Sequence, residues 1–307
     1  MVKSVEKPVV GGKTPAAIPQ TSVPSTPQPI AHPAKPPAAP VEKPVAAAPP
    51  PPPAPRAKSP VSRVLSVSEY SEDSKHRKVW EIESIMAVLK YYGILGDTTA
   101  SVLSTGAGTE ATPFLIAPHV QWVFMTDLYL DMTPWSTWSQ PGDILRNPEV
   151  VFPHDTPLNV IPMHMDMREL KFPDNSFDAV FCTSSIEHLD SLADVHKAAK
   201  EIGRVLRPGG VAIVVTEFKV DGEGNKFDNV LLFTENDLRS DIVKPSGLTL
   251  VEGGEDAFTV DNDTLATEWA LGDIIEKGKW PEVEGVLSQK GFKFTSVCLI
   301  MTKAEDA

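Results

Sequence analysis

The sequence predicts an α/β fold, a doubly wound and mostly parallel sheet that follows a proline-rich tail. Composition changes sharply after about residue 62, and beyond it short apolar runs of strand length alternate with helical patterns. Small or polar residues also follow four successive predicted strands. Strands joined by helical crossovers form a parallel sheet that is covered on both faces. We therefore expect one domain over residues 63–307, with a ligand-binding core at about 100–220.

The first 60 residues hold 18 of the 30 prolines, mixed with Ala, Lys and Val. Such a segment buries too little apolar surface to offset its ordering entropy, so residues 1–62 are predicted to be disordered. This tail carries seven Lys or Arg and two acidic residues, a net charge of +5, so with a total of −13 the rest of the chain carries −18. A body this acidic disfavours direct binding of nucleic acid. For the tail, a protein partner and a passive solubilising role both stay open.

Apolar segments and cysteines indicate the compartment. The segment MVKSVEKPVVGGKT has no continuous apolar run, and the chain offers no 18 uncharged apolar residues in a row, so neither a signal peptide nor a membrane span is expected. Cys182 and Cys298 lie far apart in strand-like runs, as is typical of buried free thiols in a reducing compartment. No histidine pairs with another His or Cys at metal-ligand spacing. We expect a cytoplasmic protein without a metal.

The first element after the tail is a helix in SKHRKVWEIESIMAVLKYYGIL. Ile82, Ile85, Met86 and Leu89 recur at helical spacing, and Gly93 provides a stop. We expect this helix to pack on the sheet.

Strands and helices alternate along the rest of the chain, and the final strand is expected to be antiparallel. Helices are predicted from near Thr109, over Ser191 to Leu206, and after Thr234, which is placed as an N-cap with Asp237 at the third helical position. The predicted strands are Ser101–Thr105, Trp122–Thr126, Asn159–Met165, Phe177–Thr183, Val211–Phe218, Leu248–Glu252 and Thr295–Thr302.

The loop after the first strand fits a nucleotide ligand. Gly106 to Ala111 match the pattern G-x-G-x-x-A, and Asp127 follows Gly106 by 21 positions, as in a nicotinamide or flavin site. The two glycines let a ligand approach the backbone, and the Asp127 carboxylate can accept hydrogen bonds from both ribose hydroxyls. Asp166 ends the third strand and Thr183 the fourth. Ligands bind at such strand ends, so a nucleotide-like molecule is expected there.

Two later stretches of sequence distinguish between the possible nucleotide-like ligands. MDMRELKFPDNSFDAVFCTSSIEHLDS and AAKEIGRVLRPGGVAIVVTEF follow the glycine loop in this order. Together with that loop, residues 100–220 resemble class I S-adenosylmethionine-dependent methyltransferases of the small-molecule type, whereas nicotinamide enzymes share only the first motif. The resemblance implies a Rossmann-like fold and S-adenosyl-L-methionine as the cofactor.

The resemblance also implies roles for single residues. Gly106 and Gly108 would lie against the methionine part of the cofactor, Asp127 would hold the ribose, and Asp166 with Met167 would contact the adenine. The positions expected to bind the cofactor are Ser104, Gly106, Ala107, Gly108, Glu110, Asp127, Leu128, Asp166, Met167 and Thr183.

Two of these positions depart from the family pattern. Ser104 stands where the family often has an acid that helps to bind the cofactor's amino group, and Glu110 stands where a third glycine is usual. We expect Glu110 to supply the carboxylate instead, because a helix start favours negative charge.

Methyl transfer requires the protein to align an acceptor with the activated methyl group. A hydroxyl acceptor needs a base, and Glu187 and His188 are the candidate catalytic residues, with packing or solvated roles as the alternative. Trp135 and Trp138 either stack on the acceptor or are structural. Loops of the form G-x-G-T-E are similar to those of a methyltransferase subgroup found beside sugar-modifying proteins. We expect methyl transfer to a small-molecule or sugar-type acceptor. An NAD(P)-dependent oxidoreductase and a non-catalytic scaffold protein are the alternatives.

Overall fold

The computed structural model describes residues 77–131, 141–146, 157–251, 258–260, 262–271 and 285–305. The predicted tail, the expected domain start at residue 63, and both Trp135 and Trp138 lie outside the described residues. The helices are α1 (Arg77–Tyr91), α2 (Thr112–Ile116), α3 (Leu192–Val205), α4 (Glu235–Asp237), α5 (Lys244–Ser246) and α6 (Asn262–Ala266). The strands are β1 (Ser101–Thr105), β2 (Trp122–Asp127), β3 (Val160–His164), β4 (Phe177–Thr183), β5 (Leu206–Asp221), β6 (Lys226–Phe227), β7 (Val230–Leu231), β8 (Thr249–Leu250), β9 (Glu268–Ala270), β10 (Val286–Gln289) and β11 (Phe292–Thr302).

The main sheet has the predicted doubly wound arrangement. Within the described part of the chain its strand order is β3-β2-β1-β4-β5-β11-β10-β9, and β8 also pairs with β11. The first five strands are parallel, and β11 runs antiparallel to β5. The mostly parallel α/β sheet with an antiparallel final strand is therefore confirmed. Strand order reverses between β1 and β4, the point at which such sheets bind ligands.

Helices cover both faces of this sheet. Val102 of β1 packs with Ile85 and Leu89 of α1, whereas its neighbour Leu103 packs on the opposite face with Ile202 of α3. Alternate residues of a strand point to opposite faces, so a strand covered on both sides is apolar along its whole length. This explains why the predicted strands are continuous apolar runs.

Helix α1 forms where the spacing of apolar residues predicts it. Ile82, Ile85 and Leu89 are buried against the sheet. Gly93, at φ +73°, takes a left-handed conformation just after the last turn, which suits glycine better than other residues.

Helix α3 begins and ends within one residue of its predicted bounds. The Ser191 hydroxyl caps it by accepting a hydrogen bond from the Asp194 amide. Near its other end, Gly203 lies so close to α5 that a Cβ atom there would overlap the Ser246 carbonyl oxygen. The helix therefore depends on a glycine where it contacts α5.

The helix after the glycine loop was predicted too early. Near Thr109 the chain is still in the loop, and α2 begins only at Thr112 and ends at Ile116. Gly106 and Gly108 have positive φ, so the loop turns before Pro113 can start a helical turn.

The strand after α3 begins at Leu206 rather than at the predicted Val211, so RPGG is part of β5. The register of β5 against β4 shifts between Phe177 and Ala179. Gly209, at φ +74°, absorbs the extra residues as an irregularity of the strand rather than as a loop.

Candidate functional site

The glycine loop and Asp127 meet at the reversal point between β1 and β4. A Cβ atom on Gly106 would overlap the Ser185 hydroxyl and lie 2.6 Å from Met167 Cε, so protein side chains already fill that space. A Cβ atom on Gly108 would find Asp127 Oδ2, at 3.9 Å, as its nearest neighbour among the described residues. The open approach to the backbone is therefore at Gly108, in front of a carboxylate.

The Asp127 carboxylate is held in place by backbone amides. Its Oδ2 accepts a hydrogen bond from the Gly108 amide at 2.7 Å, and its Oδ1 accepts one from the Leu128 amide at 2.6 Å. The Tyr129 hydroxyl donates to the Gly108 carbonyl at 3.0 Å and fixes the same loop. Burial raises the pKa of Asp127, although both amides act in the opposite direction. Each carboxylate oxygen keeps a lone pair, so both ribose hydroxyls can still be accepted.

Asp166 and Met167 lie just after the carboxyl end of β3. Arg168 Nε lies 3.0 Å from both Asp166 carboxylate oxygens, and the Arg168 guanidinium adds a bond of 2.7 Å. These bonds outweigh partial burial and lower the pKa of Asp166. Met167 is buried with its methyl group beside Gly106. Asp166 is therefore an oriented, ionised acceptor.

Two other expected positions, Ser104 and Ala107, contribute no charged side chain. Ser104 is buried within β1, between Met125 of β2 and Phe181 of β4. Ala107 is buried and donates its amide to the Thr126 carbonyl at 3.0 Å. A serine enclosed by neighbouring strands stabilises the sheet, and it brings no charge to the site.

Helix α1 contributes two buried cations that the sequence does not reveal. Lys78 Nζ is bonded to the Glu81 carboxylate, donates to Ser184 Oγ at 2.6 Å and lies 3.8 Å from Glu110 Oε1. Arg77 Nε donates to Ser296 Oγ at 2.6 Å. Charges spaced like these along a helix normally form solvated pairs, so only the docking of α1 on the sheet identifies them.

Ser184 supports this arrangement with an uncommon backbone conformation. It lies directly after β4 at φ +45°, which is rare for a residue other than glycine. Its hydroxyl accepts a hydrogen bond from Lys78 Nζ and donates one to Glu81 Oε2 at 3.0 Å. Strain of this kind persists where the surrounding structure holds it, which is often at a functional site.

Arg77 joins α1 to the far side of the site. Its guanidinium is bonded to Glu217 Oε1 of β5, while Ser296 of β11 donates to Glu81 Oε1 at 2.7 Å. The second Glu217 oxygen has no hydrogen-bond partner within the described residues. The site thus has more carboxylate acceptors than donors.

We call Glu81, Glu110, Glu187 and Glu217 the acid cluster. Burial raises the pKa of Glu110 to about 8 and that of Glu187 and Glu217 to about 7, despite the nearby cations. The pKa of Glu81 is lowered because Lys78 and Arg77 together outweigh its burial. Two cations therefore face four carboxyl groups of which only a part is ionised at pH 7, and a further cation would be needed for all four to ionise.

Both candidate catalytic residues lie in the short turn Ile186–His188 after β4. Glu187 is fully buried and accepts a hydrogen bond from Thr216 Oγ1 at 2.9 Å, so it is not solvated. The half-buried His188 ring has Nδ1 3.4 Å from the Asn229 carbonyl oxygen. Burial lowers the pKa of His188 although the Glu217 and Asp127 charges raise it, so the ring is neutral at pH 7.

Cys182 and Cys298 are free, and burial raises the pKa of each to about 12, which leaves them as unreactive thiols. Within the described ranges, no three His, Cys, Asp or Glu residues are grouped to hold a metal ion. None of the helices described is long and apolar enough to cross a membrane.

The same part of the chain matches a known family. A sequence model described as a methyltransferase domain matches residues 103–214, which run from β1 into β5 and include the glycine loop, Asp127 and Asp166. Residues 103–214 are thus similar to a methyltransferase domain. The matched span includes the carboxyl ends of β1, β2, β3 and β4.

Individual relatives match the chain over segments of different length. The chain is 45% identical over 60 residues to sterol 24-C-methyltransferase erg6 of Aspergillus fumigatus, which is 20% of this chain and 15% of that protein. It is 27% identical over 150 residues to the uncharacterized methyltransferase YcgJ of Bacillus subtilis, which is 47% of this chain and 53% of that protein. The crystal structure of YcgJ is 18% identical, has a TM-score of 0.49 and covers 73% of this chain and 99% of that one. The chain thus spans about half, or less, of the length of these curated relatives.

Proposed function

We propose that this protein transfers a methyl group from S-adenosylmethionine to a small-molecule acceptor, with sugar-type acceptors as the first class to test. The observation that carries the proposal is the acid cluster beside the glycine loop. S-adenosylmethionine brings a sulfonium and an ammonium group, so its binding would supply the positive charge that the cluster lacks. A pyrophosphate-containing dinucleotide would bring two further negative charges to the same place, next to Glu110.

The residues present fit this cofactor. Gly108 leaves its face of the loop open toward Asp127, and the amides that hold Asp127 leave lone pairs for the ribose hydroxyls. Asp166 is held ionised by Arg168, ready to accept a hydrogen bond from the adenine amino group. Glu110 then replaces the acid that the family often has at Ser104.

When bound, S-adenosylmethionine supplies an activated methyl group. The remaining work for the protein is to hold an acceptor in line with that group, to exclude water and to remove a proton where the acceptor is a hydroxyl. His188 is the better base, because its ring is neutral at pH 7 and half-exposed. Glu187 is enclosed behind Thr216, so it supports the site through its charge rather than by contact with an acceptor.

Direct ligand binding tests this function. Calorimetric titration of the full chain with S-adenosylhomocysteine, with NADH as the parallel ligand, should give binding of the former alone. Transfer of a labelled methyl group to a panel of sugars, nucleotide sugars and sterols would then identify the acceptor class. Binding of NADH alone would contradict methyl transfer, and binding of neither ligand would favour the scaffold alternative.

A further inference from the structure

Lys78 is well placed to contact a ligand rather than only to stabilise α1. It comes from the first turn of α1, yet its ammonium group lies between Ser184, at the end of β4, and Glu110, in the loop after β1. These two strands flank the reversal point of the sheet. The side chain is 9% exposed, so its charge is almost completely removed from bulk water.

Lys78 also has a donor to spare. An ammonium group has three N–H donors, and among the residues that the structure describes one is taken by Glu81 and one by Ser184. Glu110 Oε1 lies 3.8 Å away, which is too far for a hydrogen bond. Lys78 therefore offers one N–H donor, and Glu110 a carboxyl group, on the same side of the glycine loop.

We propose that Lys78 and Glu110 together select the amino-acid head group of the cofactor, Lys78 by binding its carboxylate and Glu110 by binding its ammonium group. A cation and a carboxylate held a few ångströms apart complement a zwitterion, which presents the opposite charges at a similar separation. The assignment rests on the proposed methyl transfer and adds to it a residue, Lys78, that lies outside the matched domain.

The test compares two ligands that differ only in this head group. S-adenosylhomocysteine contains it, and 5′-methylthioadenosine has a methyl group in its place. Calorimetry on the full chain at about pH 8 gives the affinity for each, in the wild type and in Lys78→Met and Glu110→Gln. Each substitution should weaken the affinity for S-adenosylhomocysteine by about ten-fold or more, which is the usual effect of losing one charge-assisted hydrogen bond. Binding of 5′-methylthioadenosine should change by less than about three-fold on the same scale.

Exposed residues provide matched controls. Lys90→Met lies at the other end of α1, and Glu223→Gln removes an acid in the loop between β5 and β6; neither should alter the preference between the ligands. Thermal melts show which variants are folded, and Glu110→Gln, which hardly changes shape, carries the test if Lys78→Met does not fold.

The outcomes separate the two proposals. A wild type that binds neither ligand would contradict methyl transfer, and with it the head-group assignment. If the wild type binds S-adenosylhomocysteine but the folded variants leave the preference unchanged, or weaken both ligands equally, only the roles of Lys78 and Glu110 are wrong.

Discussion

Replacing Glu110 by glutamine should make the protein more stable at alkaline pH. Burial raises the pKa of Glu110 from its ordinary value of 4.5 to about 8, so the folded state holds this proton more tightly than the unfolded state does. Between these two pH values the folded protein binds more protons, and its free energy of unfolding falls as the pH rises. At about 1.4 kcal/mol per pKa unit, the full shift corresponds to roughly 5 kcal/mol as an upper limit.

Other groups contribute to the same pH profile. Glu187 and Glu217 act in the same direction up to their pKa of about 7, whereas the lowered pKa of His188 acts in the opposite direction below its ordinary value of 6.5. Between pH 7 and 8 the slope belongs mainly to Glu110. Lys78, Glu81 and Glu187 are the charges that act on Glu110 from α1 and from the turn after β4.

Urea denaturation of both proteins from pH 5 to 8.5 measures the effect. The wild type should lose up to about 1.4 kcal/mol per pH unit between pH 7 and 8 relative to Glu110→Gln. The two proteins should have similar stability near pH 5, where Glu110 is protonated when folded. A difference that stays constant over this range, or a variant that is less stable at pH 8.5, would show that the Glu110 carboxyl group is not buried as described.

Three further substitutions test other parts of the structure. Asp127→Asn should weaken S-adenosylhomocysteine binding by about 1–3 kcal/mol in calorimetry, because it removes charged acceptors; an unchanged affinity would place the ribose elsewhere. Gly203→Ala should lower the free energy of unfolding in urea by about 2 kcal/mol or more, because its Cβ atom would overlap the Ser246 carbonyl oxygen; an unaltered midpoint would mean that α3 and α5 separate easily. His188→Gln should slow transfer to a hydroxyl acceptor by about 100-fold or more in a labelled-methyl assay while S-adenosylhomocysteine affinity is retained; equal rates would remove His188 from catalysis.

The core of the fold was predictable because its signals are local. β1 and β4 have their predicted bounds, and α3 begins and ends within one residue of its predicted bounds. The helix start after the glycine loop and the start of β5 were placed wrongly, where glycines with positive φ let the chain turn or bulge. A glycine in the sequence permits such a conformation without specifying which one is adopted.

The site was only partly predictable because half of its charges come from distant elements. Glu110 follows β1 and Asp127 ends β2 in a recognisable pattern, and the structure places both at the glycine loop. Arg77 and Glu217 are 140 positions apart, and each has an ordinary helix or strand pattern around it. Nothing in a local pattern distinguishes a cation that will be buried from one that stays in water.

The buried cations of α1 also affect how far the functional unit extends. The matched domain begins at residue 103, whereas Arg77 and Lys78 precede it and Glu217 and Ser296 follow it. A protein trimmed to residues 103–214 would keep the glycine loop and two members of the acid cluster, Glu110 and Glu187. It would lose Lys78 and Arg77, the cations that face the cluster. Evolutionary comparison restricted to that span would likewise miss the residues that set the charge of the site. Truncated forms and alignments of this protein should therefore start no later than residue 77 and extend through β11.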